Sequence, residues 1–137
     1  MRRFIILFAV ALFVTAIAVQ AGETSTRFKK QHLKQTEENL VSVLNNNSSP
    51  SMQASAAQTI RELEWSFPEE SFDSFVEPLM RIVKDETSDT QVRILAAIAL
   101  DGLHSDTGDG AIESVAKGAG DKSVKTLCAA LLVKSGK

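Results

Sequence analysis

The residues best equipped for chemistry crowd into one segment, where Asp101, His104, Asp106 and Asp109 lie close together between two apolar stretches. Carboxylates and an imidazole at that density are the raw material of a cation site. A calcium loop, however, needs oxygen ligands at alternate positions and a bidentate acid to close it. The alternate positions here are Ser105, Thr107 and Asp109, which supply one carboxylate; the closing position is Ala116, and Glu113 comes too early. We therefore expect a polar inter-helix loop with an aspartate cap and no resident metal. An accessory role in which the Asp101–Asp109 loop binds a small ligand or metal is the alternative reading. Cys128 falls at an apolar helical position, where a thiol is a small core filler rather than a nucleophile. His32 sits in a polar first helix, no Gly-x-Ser-x-Gly turn is present, and no glycine-rich phosphate loop occurs. The acid pairs Glu37-Glu38, Glu69-Glu70 and Asp85-Glu86 are adjacent, so their carboxylates diverge into solvent instead of converging on one point. These residues predict no catalytic machinery and no cofactor.

The elements that would position such groups are all helical. Val92, Leu95, Ala96, Ala99, Leu100 and Leu103 recur at steps of three and one, which trace one face of a helix over 89–103. Ser88 and Gln91 have capping-box spacing at its start. Ahead of it we expect helices over 27–44, 50–64 and 69–85, the second with Met52, Ala56, Ile60 and Leu63 inward. In the third, Pro78 should bend or break the helix near Val76. Ser66 and Glu69 suggest another capping box, and Trp65 is expected to cover the end of the core at the helix junction. A brief helix over 111–117 ends at Gly118 and Gly120, and Asp121 caps a last one over 122–134. No alternating strand pattern emerges, so the fold class is all-α.

Two further features bear on address and partners. Met1–Arg3 is basic, Phe4–Val19 is an uncharged apolar run of 16 residues, and Val19-Gln20-Ala21 offers small residues at its exit. These are the parts of a secretory signal peptide, and the run is shorter than the roughly 20 residues a spanning helix wants. We expect cleavage after Ala21 and an exported, periplasmic or secreted domain over 22–137, with membrane contact only through an uncleaved signal. Losing Arg2 and Arg3 lowers the formal net charge by two, from −2 to −4. The mildly acidic balance argues against a nucleic-acid surface. The basic cluster Arg27, Lys29, Lys30 and Lys34, which could be an anionic-surface patch, is expected to be the solvated face of the first helix because it lacks a matching apolar stripe.

Placing Val92, Met52 and Val124 in register brings Ala96-Ala97 onto Ala56-Ala57 and Cys128-Ala129, and Leu100 onto Ile60 and Leu132. Asp89 then coincides with Ser49 and Asp121, and the periods are 40 and 32 residues. Each such helix follows another apolar one, and units of this kind bury their faces only by stacking on neighbours. Glu77-Pro78-Leu79, Ile82-Val83, Asp85, Val92-Arg93, Ala96-Ala97, Ala99-Leu100 and Leu103 together resemble one HEAT repeat. The other two units match less fully, since both lack the proline. What the resemblance implies is an α-solenoid of about three stacked antiparallel helix pairs, right-handed, serving as a protein-binding surface. It also implies that Asp85 or Asp89 bonds to Arg93 between neighbouring units. On this reading the protein is a non-catalytic exported scaffold for a protein partner, which meets outward residues of the second helices: Gln53, Arg61, Arg93, Asp101 and Lys125. Self-association through Leu131 or Val133 is a further expectation.

Overall fold

A computed structural model of the chain describes residues 29–46 and 48–136. The expected signal peptide lies outside these residues. The chain divides between Thr36 and Glu37 into two units. In the first, residues 29–36 are helical, and the Thr36 hydroxyl donates to the His32 carbonyl at 2.9 Å. Helix α1 covers 29–45 in all, and its residues from Glu37 onward open the second unit. There follow α2 (Pro50–Ser66), a 3-10 turn (Asp73–Phe75), α3 (Val76–Lys84), α4 (Thr90–Gly102), α5 (Asp106–Gly118) and α6 (Lys122–Lys134). The described residues contain no strand, and no helix among them is long and apolar enough to cross a membrane.

The caps explain where several helices begin. Ser49 accepts from the Met52 N–H, Asp89 from the Gln91 and Val92 N–H groups, and Asp121 from those of Ser123 and Val124. These are the three positions that the repeat register superimposes. Each side chain satisfies donors that the first turn leaves without an intrahelical partner. The cap of α4 is thus Asp89 and not Ser88. Ser88 instead donates to Asp85, which also accepts from the Thr87 N–H and hydroxyl and so closes the α3–α4 turn.

Two helix boundaries depart from the sequence expectation. α3 begins at Val76, seven residues late, and Ser66 ends α2 instead of capping a new helix. The expected break near Val76 is thus present: Pro78 lies in the first turn of α3, where its missing N–H would have had no partner, and the α-helix starts there instead of bending. α5 begins at Asp106, five residues early, and absorbs most of the expected polar loop. Ser105 caps it by accepting from the Gly108 N–H at 3.4 Å, and Asp106 and Asp109 favour the positive end of the helix. Glycine at 108 is a packing requirement: a Cβ there would stand 2.8 Å from Leu100 Cδ1.

Packing follows a neighbour-to-neighbour pattern. α3 packs on α4 and α5, α4 on α2 and α6, and α5 on α6. The core runs from Ala56, Ala57 and Ile60 through Leu79, Val83, Val92, Ala96, Ala97 and Leu100 to Ile112, Val124 and Cys128. Paired alanines let α2 and α4 approach closely, while Leu100 and Ile60, both 0% exposed, fill the space between. Met52 departs from its expected inward placement at 52% exposed, and Val133 is 79% exposed while Leu131 is buried. Polar ties join successive turns along one edge. Thr90 donates to Asp121, and the Gly120 N–H donates to Glu86 Oε1 at 3.3 Å.

Candidate functional site

Of the five residues expected to face a partner, Arg93 does not. Its side chain is 1% exposed and is the one buried charged residue among those described. The guanidinium donates through Nε to the Val83 carbonyl at 3.0 Å and through Nη1 to Glu86 Oε2 at 3.1 Å. Its long apolar stem lies in the core while the fork satisfies an orphan carbonyl at the end of α3, so the charge is no guide to exposure here. The implied Asp85 or Asp89 partner is replaced by the half-exposed Glu86, which forms the ion pair. Gln53 and Lys125 occupy corresponding places near the starts of α2 and α6, the first partly exposed and the second exposed, and they do not meet.

Arg61 and Asp101 do come together. The C-terminal ends of α2, α4 and α6 border a groove of about 340 Å³, lined by Arg61, Glu64, Trp65, Asp101, His104 and Lys134 among others. Trp65, expected to cover the core, is 89% exposed beside it. The end of the core is filled instead by Phe72 and Phe75, whose rings stack at 5.8 Å between centroids. α2 continues through Ser66, which places position 65 on its outer side and Glu64 on its inner side.

Glu64 is the group that sequence reasoning missed. It follows Ile60 by four residues, one turn along the buried face, and that spacing was the available signal. Its carboxylate lies where a side chain on Gly102 would have to be, so a Cβ at 102 would collide with Glu64 Oε2. Oε1 is buried and has no hydrogen-bond partner among the described residues. Burial pushes the carboxyl up to about 7; the Arg61 charge pulls it down and the Asp101 charge pushes it up further. Glu64 also borders a second cavity of about 160 Å³ that includes Glu70, Asp73 and His104.

His104 turns the chain from α4 into α5 with φ of +51°, the one non-glycine residue described in the left-handed region. An αL residue just past a helix end is normally glycine or asparagine, and a histidine there carries strain of order 1 kcal/mol. Such strain persists where the surroundings fix it, often at functional positions. The cation-site candidates are dispersed by the same turn. Asp101 lies in the last turn of α4 and Asp106 and Asp109 in the first turn of α5, so the expected loop shrinks to residues 103–105. No group of three or more potential metal ligands forms among the described residues. Cys128 is buried, and desolvation raises its thiol pKa, with the Arg93 charge opposing. His32 is an exposed residue of the first unit.

No protein-family model, no curated protein and no solved structure matches the chain.

Proposed function

We propose that this chain is a non-catalytic, exported helical-repeat module: a short HEAT-like α-solenoid that docks a protein partner on the edge where α2, α4 and α6 end. The solenoid reading is supported by the neighbour-to-neighbour packing and by the capping residues at the three equivalent positions Ser49, Asp89 and Asp121. Export is supported by the basic start and the apolar run Phe4–Val19. The observation that carries the binding assignment is Trp65, 89% exposed at the border of the groove that Arg61 and Asp101 also line. Tryptophan and arginine are the residue types on which interface energy concentrates, and leaving an indole in water has no folding benefit.

The test compares proteins recovered from an extracytoplasmic fraction by the wild-type chain, by Trp65→Ala and by Glu113→Ala, an exposed change on the outer side of α5. Trp65 is already solvated, so its removal should leave the fold intact by circular dichroism. A partner retained by wild type and Glu113→Ala and lost by Trp65→Ala is the expected result. Identical recovery by all three proteins would remove the assignment.

A further inference from the structure

We infer that the groove at the ends of α2 and α4 is a receptor for one arginine side chain of a protein partner, held between the Trp65 indole and the carboxylates of Glu64 and Asp101. This deepens the docking assignment above and rests on it. Three observations point to a guanidinium. Glu64 Oε1 is a buried acceptor with no donor among the described residues, and such an atom costs free energy until a donor reaches it. Asp101, the other acid of the groove, has no cation within 4.0 Å among the described residues: the two ion pairs present there are Arg93–Glu86 and Lys117–Glu113. The exposed Trp65 lines the groove with both acids, and an aromatic ring is an attractive neighbour for a cation.

The competing charges do not fill this role. Arg61 and Lys134 line the groove, yet neither forms an ion pair among the described residues, and both are exposed. Burial, not the Arg61 charge, dominates the environment of Glu64. Arginine fits better than lysine because a planar fork can stack on an aromatic ring while directing separate N–H groups at two acceptors; an ammonium is a single point. The groove, about 340 Å³, is near the small end of ligand sites and suits one side chain rather than a folded element.

Trp65 is the sole tryptophan, so its fluorescence reports directly on the groove. The purified chain is titrated with N-acetyl-arginine amide and with the uncharged isostere N-acetyl-citrulline amide. Saturable change at millimolar arginine amide with none from citrulline amide is expected, and Glu64→Gln or Asp101→Asn should each weaken it by about tenfold. Circular dichroism confirms that the variants are folded, and the two act as checks on each other. No saturable response in the wild type, an equal response to citrulline amide, or unchanged affinity in both variants would overturn the inference. The two failures are distinguishable: a partner lost by Trp65→Ala without arginine binding overturns the arginine receptor and leaves the docking assignment, whereas identical recovery by all chains overturns the docking assignment and the arginine receptor that rests on it.

Discussion

Replacing Glu64 by glutamine should change how stability depends on pH, and the sign follows from burial. The carboxyl titrates near 4.5 in an unfolded chain and is raised to about 7 in the fold. Between those values the unfolded state has released the proton while the folded state keeps it, so stability falls as pH rises. The loss begins near the unfolded value and is complete above the folded one. At about 1.4 kcal/mol per pH unit the gap corresponds to an upper bound of about 3.4 kcal/mol. Because the side chain is only half-buried, solvent screening reduces this to about 1–2 kcal/mol. Glutamine has the same shape and no titration, though its amide leaves unmet hydrogen bonds at every pH. The diagnostic is therefore the difference in slope between the proteins, not in absolute stability. Arg61, Asp101, His104 and Lys134 in the groove, with Glu70 and Asp73 in the adjoining cavity, surround Glu64 and are present in both proteins, so the comparison isolates the Glu64 carboxyl. Urea unfolding followed by helical circular dichroism is the appropriate assay, since the exposed Trp65 is a poor reporter of unfolding. Wild type should lose stability relative to Glu64→Gln from about pH 4.5 to pH 7 and run parallel above. Parallel curves throughout the window would refute the placement of Glu64.

Three other outcomes follow from the packing. Leu100→Ala should cost about 2–5 kcal/mol in urea unfolding as a large-to-small core change, while exposed Gln91→Ala stays within about 0.5 kcal/mol. Gly108→Ala should destabilise by about 1–3 kcal/mol despite its better helix propensity, because its Cβ would press on Leu100, and a neutral effect would mean that α5 packs differently. Cys128, buried with a raised thiol pKa, should resist maleimide in the folded chain and react fully in denaturant; rapid native labelling, read by mass spectrometry, would place it on the surface.

The parts of the fold legible in the sequence were those decided by local chemistry. α6 occupies the expected range because Asp121 caps it and its apolar residues keep one period. α4 was readable for the same reason, apart from the identity of its cap. α5 was not: Gly108 and Gly110 argue locally against a helix, and only the fit of Gly108 against Leu100 explains its earlier start. Arg93 was read as outward because it is charged, whereas the end of α3 needed a donor for its carbonyl. In the groove, Arg61 and Asp101 could be proposed from periodicity alone. Glu64 had only its spacing from Ile60 as a signal, and its tight place against α4 depends on the absence of a side chain on Gly102.

The turn-to-turn ties described above have a mechanical consequence. Glu86 to Gly120 and Thr90 to Asp121 fasten neighbouring helix pairs at the edge where α4 and α6 begin. At the opposite edge, where α2, α4 and α6 end, no hydrogen bond or ion pair between these helices is present among the described residues. The described helices are thus tied by hydrogen bonds at the edge where α4 and α6 begin and meet by side-chain packing where they end. An edge without such bonds deforms at lower cost than one fastened by them, which puts the groove on the more compliant side of these helices.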